Sequence, residues 1–137
     1  MVGYSGTPLA KKLGLKADGT IVLANAPPGF EAALAPLPDG ARATRTPSRK
    51  PQLVLLFASN LAELTTRFVP LSKRLDATGA LWVAWPKRAS KKPTDLAEDV
   101  VRRIGLDAGM VDVKVCAVDE TWSGLKFVYR LKDRKSV

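Results

Sequence analysis

Histidine is missing from all 137 residues of this chain, and cysteine occurs once, as Cys116. The first absence removes the commonest general base, every Ser-His or Cys-His nucleophile pair, and most zinc and haem sites. Any chemistry has to rest on carboxylates, lysine, tyrosine, serine or threonine, or on a borrowed cofactor, and no metal site is expected. The second absence makes an intramolecular disulfide impossible and fits a reducing, cytoplasmic location. No apolar run approaches the ~18 residues of a membrane span. The first eight residues, Met1-Val-Gly-Tyr-Ser-Gly-Thr-Pro8, lack the basic and apolar stretches of a signal peptide.

Acidic residues are also outnumbered, 13 against 22 lysines and arginines, for a net charge of +9. That balance favours anionic partners such as nucleic acid, lipid headgroups or phosphorylated small molecules, and it serves solubility equally well. Hydrophobic residues at 46% and charged residues at 26% are those of an ordinary globular protein. The length is one domain's worth, enough to bury roughly two-thirds of the unfolded surface. We therefore expect a single domain over residues 1–137, with an N-terminal segment at 1–19 and a flexible basic tail at 132–137.

Two segments, Leu53-Val-Leu-Leu-Phe-Ala58 and Ala80-Leu-Trp-Val-Ala-Trp85, are apolar without alternation, and Thr20-Ile-Val-Leu-Ala24 is similar. Strands apolar on both faces belong inside a parallel sheet with helices above and below, which places Trp82 and Trp85 in opposite layers. Between the second and third strands, Leu61, Leu64, Phe68, Leu71 and Leu75 form a helical stripe, with Asn60 as N-cap and Glu63 at capping-box spacing. Pro70 should kink this helix or split it. A further helix is expected after Pro93, capped by Thr94 or Asp95, with Leu96, Val100, Val101 and Ile104 inward and Gly105 and Gly109 weakening its last turns. Then the period changes to two. Val111, Val113, Val115 and Ala117 alternate with Asp112, Lys114 and Cys116, and Leu125, Phe127, Tyr129 and Leu131 alternate likewise, joined through Asp119 to Gly124. Residues 39–52 read as loop with one short strand around 41–45. The whole predicts an α/β fold: a three-layer α/β/α, Rossmann-like sheet, mostly parallel, ending in an antiparallel hairpin.

This order, with Leu75-Asp-Ala-Thr-Gly-Ala-Leu-Trp-Val-Ala-Trp-Pro86, resembles the second half of class I S-adenosylmethionine (SAM)-dependent methyltransferases, over roughly residues 53 to 131. A second resemblance spans nearly the whole chain. It is carried by Gly3-Tyr-Ser-Gly-Thr-Pro-Leu-Ala-Lys-Lys-Leu-Gly14, Asn25-Ala-Pro-Pro-Gly-Phe30, Ala80-Leu-Trp-Val-Ala-Trp-Pro-Lys87, Pro93-Thr-Asp-Leu96 and Val115-Cys-Ala-Val-Asp-Glu-Thr-Trp-Ser-Gly124. These stretches are similar to a family of small bacterial proteins, domain of unknown function 3052, and imply no particular activity.

The methyltransferase resemblance implies a first loop reading acidic-x-Gly-x-Gly-x-Gly, in which glycines let the backbone approach the cofactor. Here the matching stretch is Ala24-Asn-Ala-Pro-Pro-Gly-Phe30, with Gly29 alone. Pro27 and Pro28 carry no backbone donor. Where the resemblance implies an acidic residue gripping the ribose, Arg42, Thr44 and Arg45 stand instead. About one strand and its helix are missing between Arg45 and Leu53. The usual cofactor grip is absent, so no cofactor is assigned, and a SAM site is lost or rebuilt.

Candidate site residues follow from the ends of the strands, where open α/β sheets bind ligands. Asn25, Gly29 and Ser59 end or follow two central strands, and Asn25 and Ser59 also serve as ordinary strand-end or capping residues. Lys87, Arg88, Lys91 and Lys92 bring four cations to the next rim, ahead of the expected helix N-terminus at Thr94. That rim suits a phosphate or carboxylate, or is a solvated basic loop. Asp119, Glu120 and Trp122 are weaker candidates in the hairpin turn. Cys116 reads as a buried, inert thiol, and Lys126, Arg130, Lys132, Arg134 and Lys135 as a protective basic edge.

Three functions remain open. The first is a non-catalytic module recognising an anionic small molecule or protein partner at the rim of Asn25, Ser59 and Lys87–Lys92. The second is a divergent SAM-dependent methyltransferase. The third is a nucleic-acid-binding protein working through its charge. The edge hairpin permits a homodimer as well as a monomer.

Overall fold

The computed structural model describes residues 7–47 and 49–131. The elements are α1 (Leu9–Leu13), β1 (Thr20–Ala24), α2 (Glu31–Leu34), β2 (Arg42–Thr44), β3 (Leu53–Phe57), α3 (Leu61–Arg74), β4 (Ala80–Pro86), α4 (Glu98–Asp107), β5 (Met110–Ala117) and β6 (Trp122–Tyr129). The three apolar runs are the three central strands, as their lack of alternation requires. One six-stranded sheet results, in the order β2-β1-β3-β4-β6-β5. The first four strands are parallel, and β6 inserts antiparallel between β4 and β5. The fold is α/β and mixed, as expected. Residues 45–52 join β2 directly to β3, which leaves no room for a further strand and helix.

Alternation within the central strands divides their side chains between two layers. Leu55, Phe57, Trp82 and Ala84 face α1 and α2, whereas Val54, Leu56, Leu81, Val83 and Trp85 face α3 and α4. Trp82 and Trp85 thus lie in opposite layers. The two layers are unequal, because α2 is a single turn. The Trp82 indole pins the first layer by donating to the Leu13 carbonyl at 2.9 Å, which satisfies a polar atom at a fully buried position.

Several local expectations change. Pro70 does not split α3, which runs from Leu61 to Arg74. The proline is exposed, so the hydrogen bond it denies the Thr66 carbonyl lies where water reaches. Helix α4 begins at Glu98 with Ala97 as its N-cap, not at Thr94 or Asp95. Thr94 accepts from the Leu96 N–H in a local turn, while Asp95 caps α3, accepting from the Leu61 N–H at 2.7 Å. In β5 the alternation breaks at a bulge between Asp112 and Lys114. Val113, the extra residue, and Val115 are both exposed. Strand β6 ends at Tyr129, and Leu131 is 78% exposed. The basic tail at 132–137, with Lys132, Arg134 and Lys135, and the first six residues lie outside the described residues. Among the described residues, no helix is long and apolar enough to cross a membrane.

Candidate functional site

The chain order reverses between β1 and β3, since β2 lies on one side of β1 and β3 on the other. In a parallel sheet this switch point opens a crevice at the carboxyl ends of the strands. Asn25 is the first residue past β1 and sits in the left-handed region, with φ 58°, a conformation asparagine tolerates better than most residues. That turn sends its side chain across the crevice. Nδ2 donates to the Phe57 carbonyl at 2.9 Å and reaches Glu63 Oε1 at 3.4 Å. The same Glu63 oxygen accepts from the Ser59 N–H at 2.8 Å, and Asn60 Oδ1 accepts from the Glu63 N–H at 2.9 Å. The structure therefore brings Asn25 and Ser59 together through Glu63, which the sequence marks only as part of a helix cap.

Gly29 has a local reason to be glycine. The Phe30 N–H returns to the Pro27 carbonyl at 3.2 Å, with Gly29 at φ 76°. Proline at the second and glycine at the third position of such a turn match type II geometry. The turn throws Phe30 inward, edge-on to Phe57 at 4.8 Å, and Phe57 in turn meets Trp122 at 5.0 Å. Trp122 is 8% exposed. The weaker candidate in the hairpin is thus part of the core beneath the crevice.

Arg45 is the main residue that sequence reasoning leaves without a role. The register sets Val22 beside Thr44, so the residue after β2 lands next to the loop after β1. Its guanidinium donates to both Glu31 oxygens, at 2.8 and 2.9 Å, and to the carbonyls of Ala26 and Pro27, each at 2.9 Å. Side-chain hydrogen bonding from Arg45 brings the Glu31 carboxyl down to about 2, and the same contact raises the arginine. The pair is exposed, with 41% of the Arg45 side chain and 45% of the Glu31 side chain in solvent. The signal that locates it is the parallel pairing of β1 and β2, which carries the ends of both strands to one edge.

The remaining candidates form a second, adjoining rim. The Lys87 N–H donates to the Thr121 carbonyl at 2.8 Å, joining the basic segment to the hairpin turn. Arg88–Ser90 is one 3-10 turn, and α4 begins only at Glu98, so the cations do not lead directly into its N-terminus. Lys87, Arg88, Lys91 and Lys92 make no ion pair among the described residues. Asp119 closes the turn by accepting from the N–H groups of Thr121 and Trp122, at 2.8 and 2.9 Å, while Glu120 lies exposed beside it. Cys116 is half-buried rather than fully buried, and burial pushes its thiol up despite Lys12 and Lys114. Among the described residues, no group of histidine, cysteine, aspartate or glutamate could hold a metal ion.

A nucleoside cofactor held in the usual way needs backbone donors in the first loop and an acceptor at the end of the second strand. Pro27 and Pro28 supply no donors, the carbonyls of Ala26 and Pro27 are taken by Arg45, and the end of β2 carries a cation. The standard grip does not fit; the carboxylate at this edge is Glu31, at the start of α2.

No protein-family model and no curated protein matches the sequence, so the resemblance to domain of unknown function 3052 gains no support from that comparison. Solved structures do match. The chain is similar to a SAM-dependent methyltransferase from Aquifex aeolicus, with a TM-score of 0.56 and 16% identity, over 87% of this chain and 86% of that one. It is also similar to LepI in complex with SAM, with a TM-score of 0.53, 13% identity and 90% of this chain covered. A third match is magnesium protoporphyrin IX methyltransferase from Synechocystis PCC 6803 with bound SAH, with a TM-score of 0.51, 15% identity and 73% of this chain covered. The chain spans 47% of LepI and 56% of the Synechocystis enzyme. At these identities the likeness is one of fold: a methyltransferase-like, Rossmann-like α/β sheet.

Proposed function

We propose that this chain is a divergent SAM-dependent methyltransferase, with its cofactor crevice between the carboxyl ends of β1 and β3. The supporting observation is the convergence of Asn25, the Ser59 backbone and Glu63 at the switch point of a methyltransferase-like sheet. Asn25 and Glu63 orient polar groups of the ligand, and Glu31 takes the acceptor role that this fold usually places after the second strand. Arg45 holds Glu31 through a solvent-exposed bidentate ion pair, which a ligand at Glu31 would have to open. A bound cofactor of this class supplies an activated methyl group, and the chain's part is to bind and orient it.

Isothermal titration with SAM and S-adenosylhomocysteine at moderate salt tests this reading. Saturable binding near 1:1, weakened by Asn25→Ala and by Glu31→Gln, is the expected result. At a hundred times Kd the ligand should add about 2.7 kcal/mol of stability, or roughly 8 °C in Tm. No heat and no thermal shift would overturn the proposal.

The cations of Lys87–Lys92, without an ion-pair partner among the described residues, favour a second reading, a non-catalytic module for an anionic small molecule or protein partner. Charge reversal at Lys91 and Lys92 separates it from the first, because the β1–β3 crevice does not use them. A nucleic-acid role rests on charge alone, since every described tryptophan and phenylalanine is buried and offers bases no stacking surface. A steep loss of affinity with salt would mark it.

A further inference from the structure

Away from the carboxyl rim, two grooves adjoin at the amino-terminal ends of the strands and share Gly14, Leu15 and Lys16. The larger, ≈ 540 Å³, is walled by Pro8, Ala10, Leu15, Pro36, Leu37 and Pro38. Its volume is within the usual range for small-molecule sites. Among the described residues, Lys11 and Lys16 are its only charged lining residues. The smaller groove, ≈ 280 Å³, is more polar, with Thr20, Gln52, Thr78 and Lys126 beside Lys16, and no acidic residue among the described residues lines it. Asp18 follows Ala17 in the chain but lies over Gly40, outside both linings. Lys11, Lys16 and Lys126 have no ion-pair partner among the described residues.

One further feature points to an anion, and another to a preformed site. Lys126 sits directly opposite Lys114 across β5 and β6, a like-charge pairing that costs stability unless something negative lies nearby. The shared wall is also held in place beforehand. Gly14, at φ 95°, closes α1 with its N–H on the Lys11 carbonyl, the Leu15 N–H returns to Ala10, and the Leu13 carbonyl is held by Trp82. A wall already ordered loses little entropy when a ligand arrives.

We infer that these grooves bind a small amphipathic anion, its apolar tail in the larger groove and its phosphate or carboxylate head at Lys16 on the side of Lys126. The site is separate from the proposed cofactor crevice, which lies at the other end of the strands, and it does not depend on that reading.

Calorimetric titration of the full chain with butyl, hexyl and octyl phosphate below their micelle concentrations tests the inference, with inorganic phosphate and hexyl glucoside as head-only and tail-only probes. Binding should be saturable for the alkyl phosphates and tighten about fourfold per added methylene until the groove is filled. Lys16→Glu should weaken it by on the order of tenfold. Ala17→Trp, an exposed lining position, should block it while the Tm stays unchanged. Lys91→Glu with Lys92→Glu should leave it unaltered. Equal binding of hexyl glucoside, equal binding of inorganic phosphate, indifference to Lys16→Glu and Ala17→Trp, sensitivity to the Lys91 and Lys92 changes, or no binding at all would each overturn the inference.

Discussion

Replacing Gly105 by alanine sets two magnitudes of opposite sign against each other. In an isolated helix, glycine to alanine stabilises by about 1 kcal/mol, and Gly105 lies within α4 without a left-handed φ. The packing reverses the sign. A Cβ at this position would lie 2.0 Å from Cε1 of Phe127, 2.4 Å from Cδ1 and 2.6 Å from Cζ, where carbon atoms normally stay ~3.5–4.0 Å apart. Phe127 is fully buried and its ring stands edge-on to Phe68 at 5.5 Å, so it has little freedom to rotate away. Helix α4 would have to lift off the sheet. Overpacking of this kind costs roughly 1–3 kcal/mol and a contact this short belongs at the upper end, for a net loss of about 1–2 kcal/mol. Thermal unfolding followed by circular dichroism should show Tm falling by about 3–8 °C. In a Phe127→Leu background the same substitution should cost less, with a coupling of about 1 kcal/mol. A rise in Tm in the native background, or an identical loss in both, would refute the contact between α4 and Phe127.

Asp95→Ala should cost about 1 kcal/mol and speed amide exchange at Leu61 in α3; acceleration at the start of α4 instead would contradict the cap. Arg45→Ala should return the Glu31 carboxyl from about 2 toward its ordinary 4.5 in an NMR titration. Because the folded value is the lower one, the pair's contribution is present above 4.5 and lost as pH falls toward 2. The stability gap between native and Arg45→Ala proteins should therefore narrow over that interval, and a constant gap would argue against the pair. Trp122→Ala should destabilise by roughly 3–5 kcal/mol, measured by urea unfolding, whereas a solvent-facing indole would cost almost nothing.

The central strands were legible because burial on both faces leaves an unmistakable apolar run, as at Leu53–Phe57 and Ala80–Trp85. The stripe of α3 and its Asn60 cap were legible for a related reason, since spacing and capping chemistry are local. What failed was also local in origin. Asp95 has every property of an N-cap for the helix that follows it, and only the approach of α3 reveals which helix it serves. The alternation of Val111 to Ala117 continues through a bulge that the residues themselves do not announce. Trp122 in an acidic turn looks exposed until Phe57 is beside it.

The candidate site divides along the same line. Asn25 and Ser59 could be chosen from the sequence, because strand ends in an α/β sheet share an edge. Glu31 and Arg45 could not be paired, since they stand 14 residues apart and meet only through the parallel register of β1 and β2. By itself the sequence determined the fold class, the strand cores, the excess of positive charge and the exclusion of histidine chemistry, all properties of composition and short-range pattern. The tertiary structure alone decided which polar groups converge, which cap belongs to which helix and which cations stand unpaired, because those depend on contacts between residues distant in the chain.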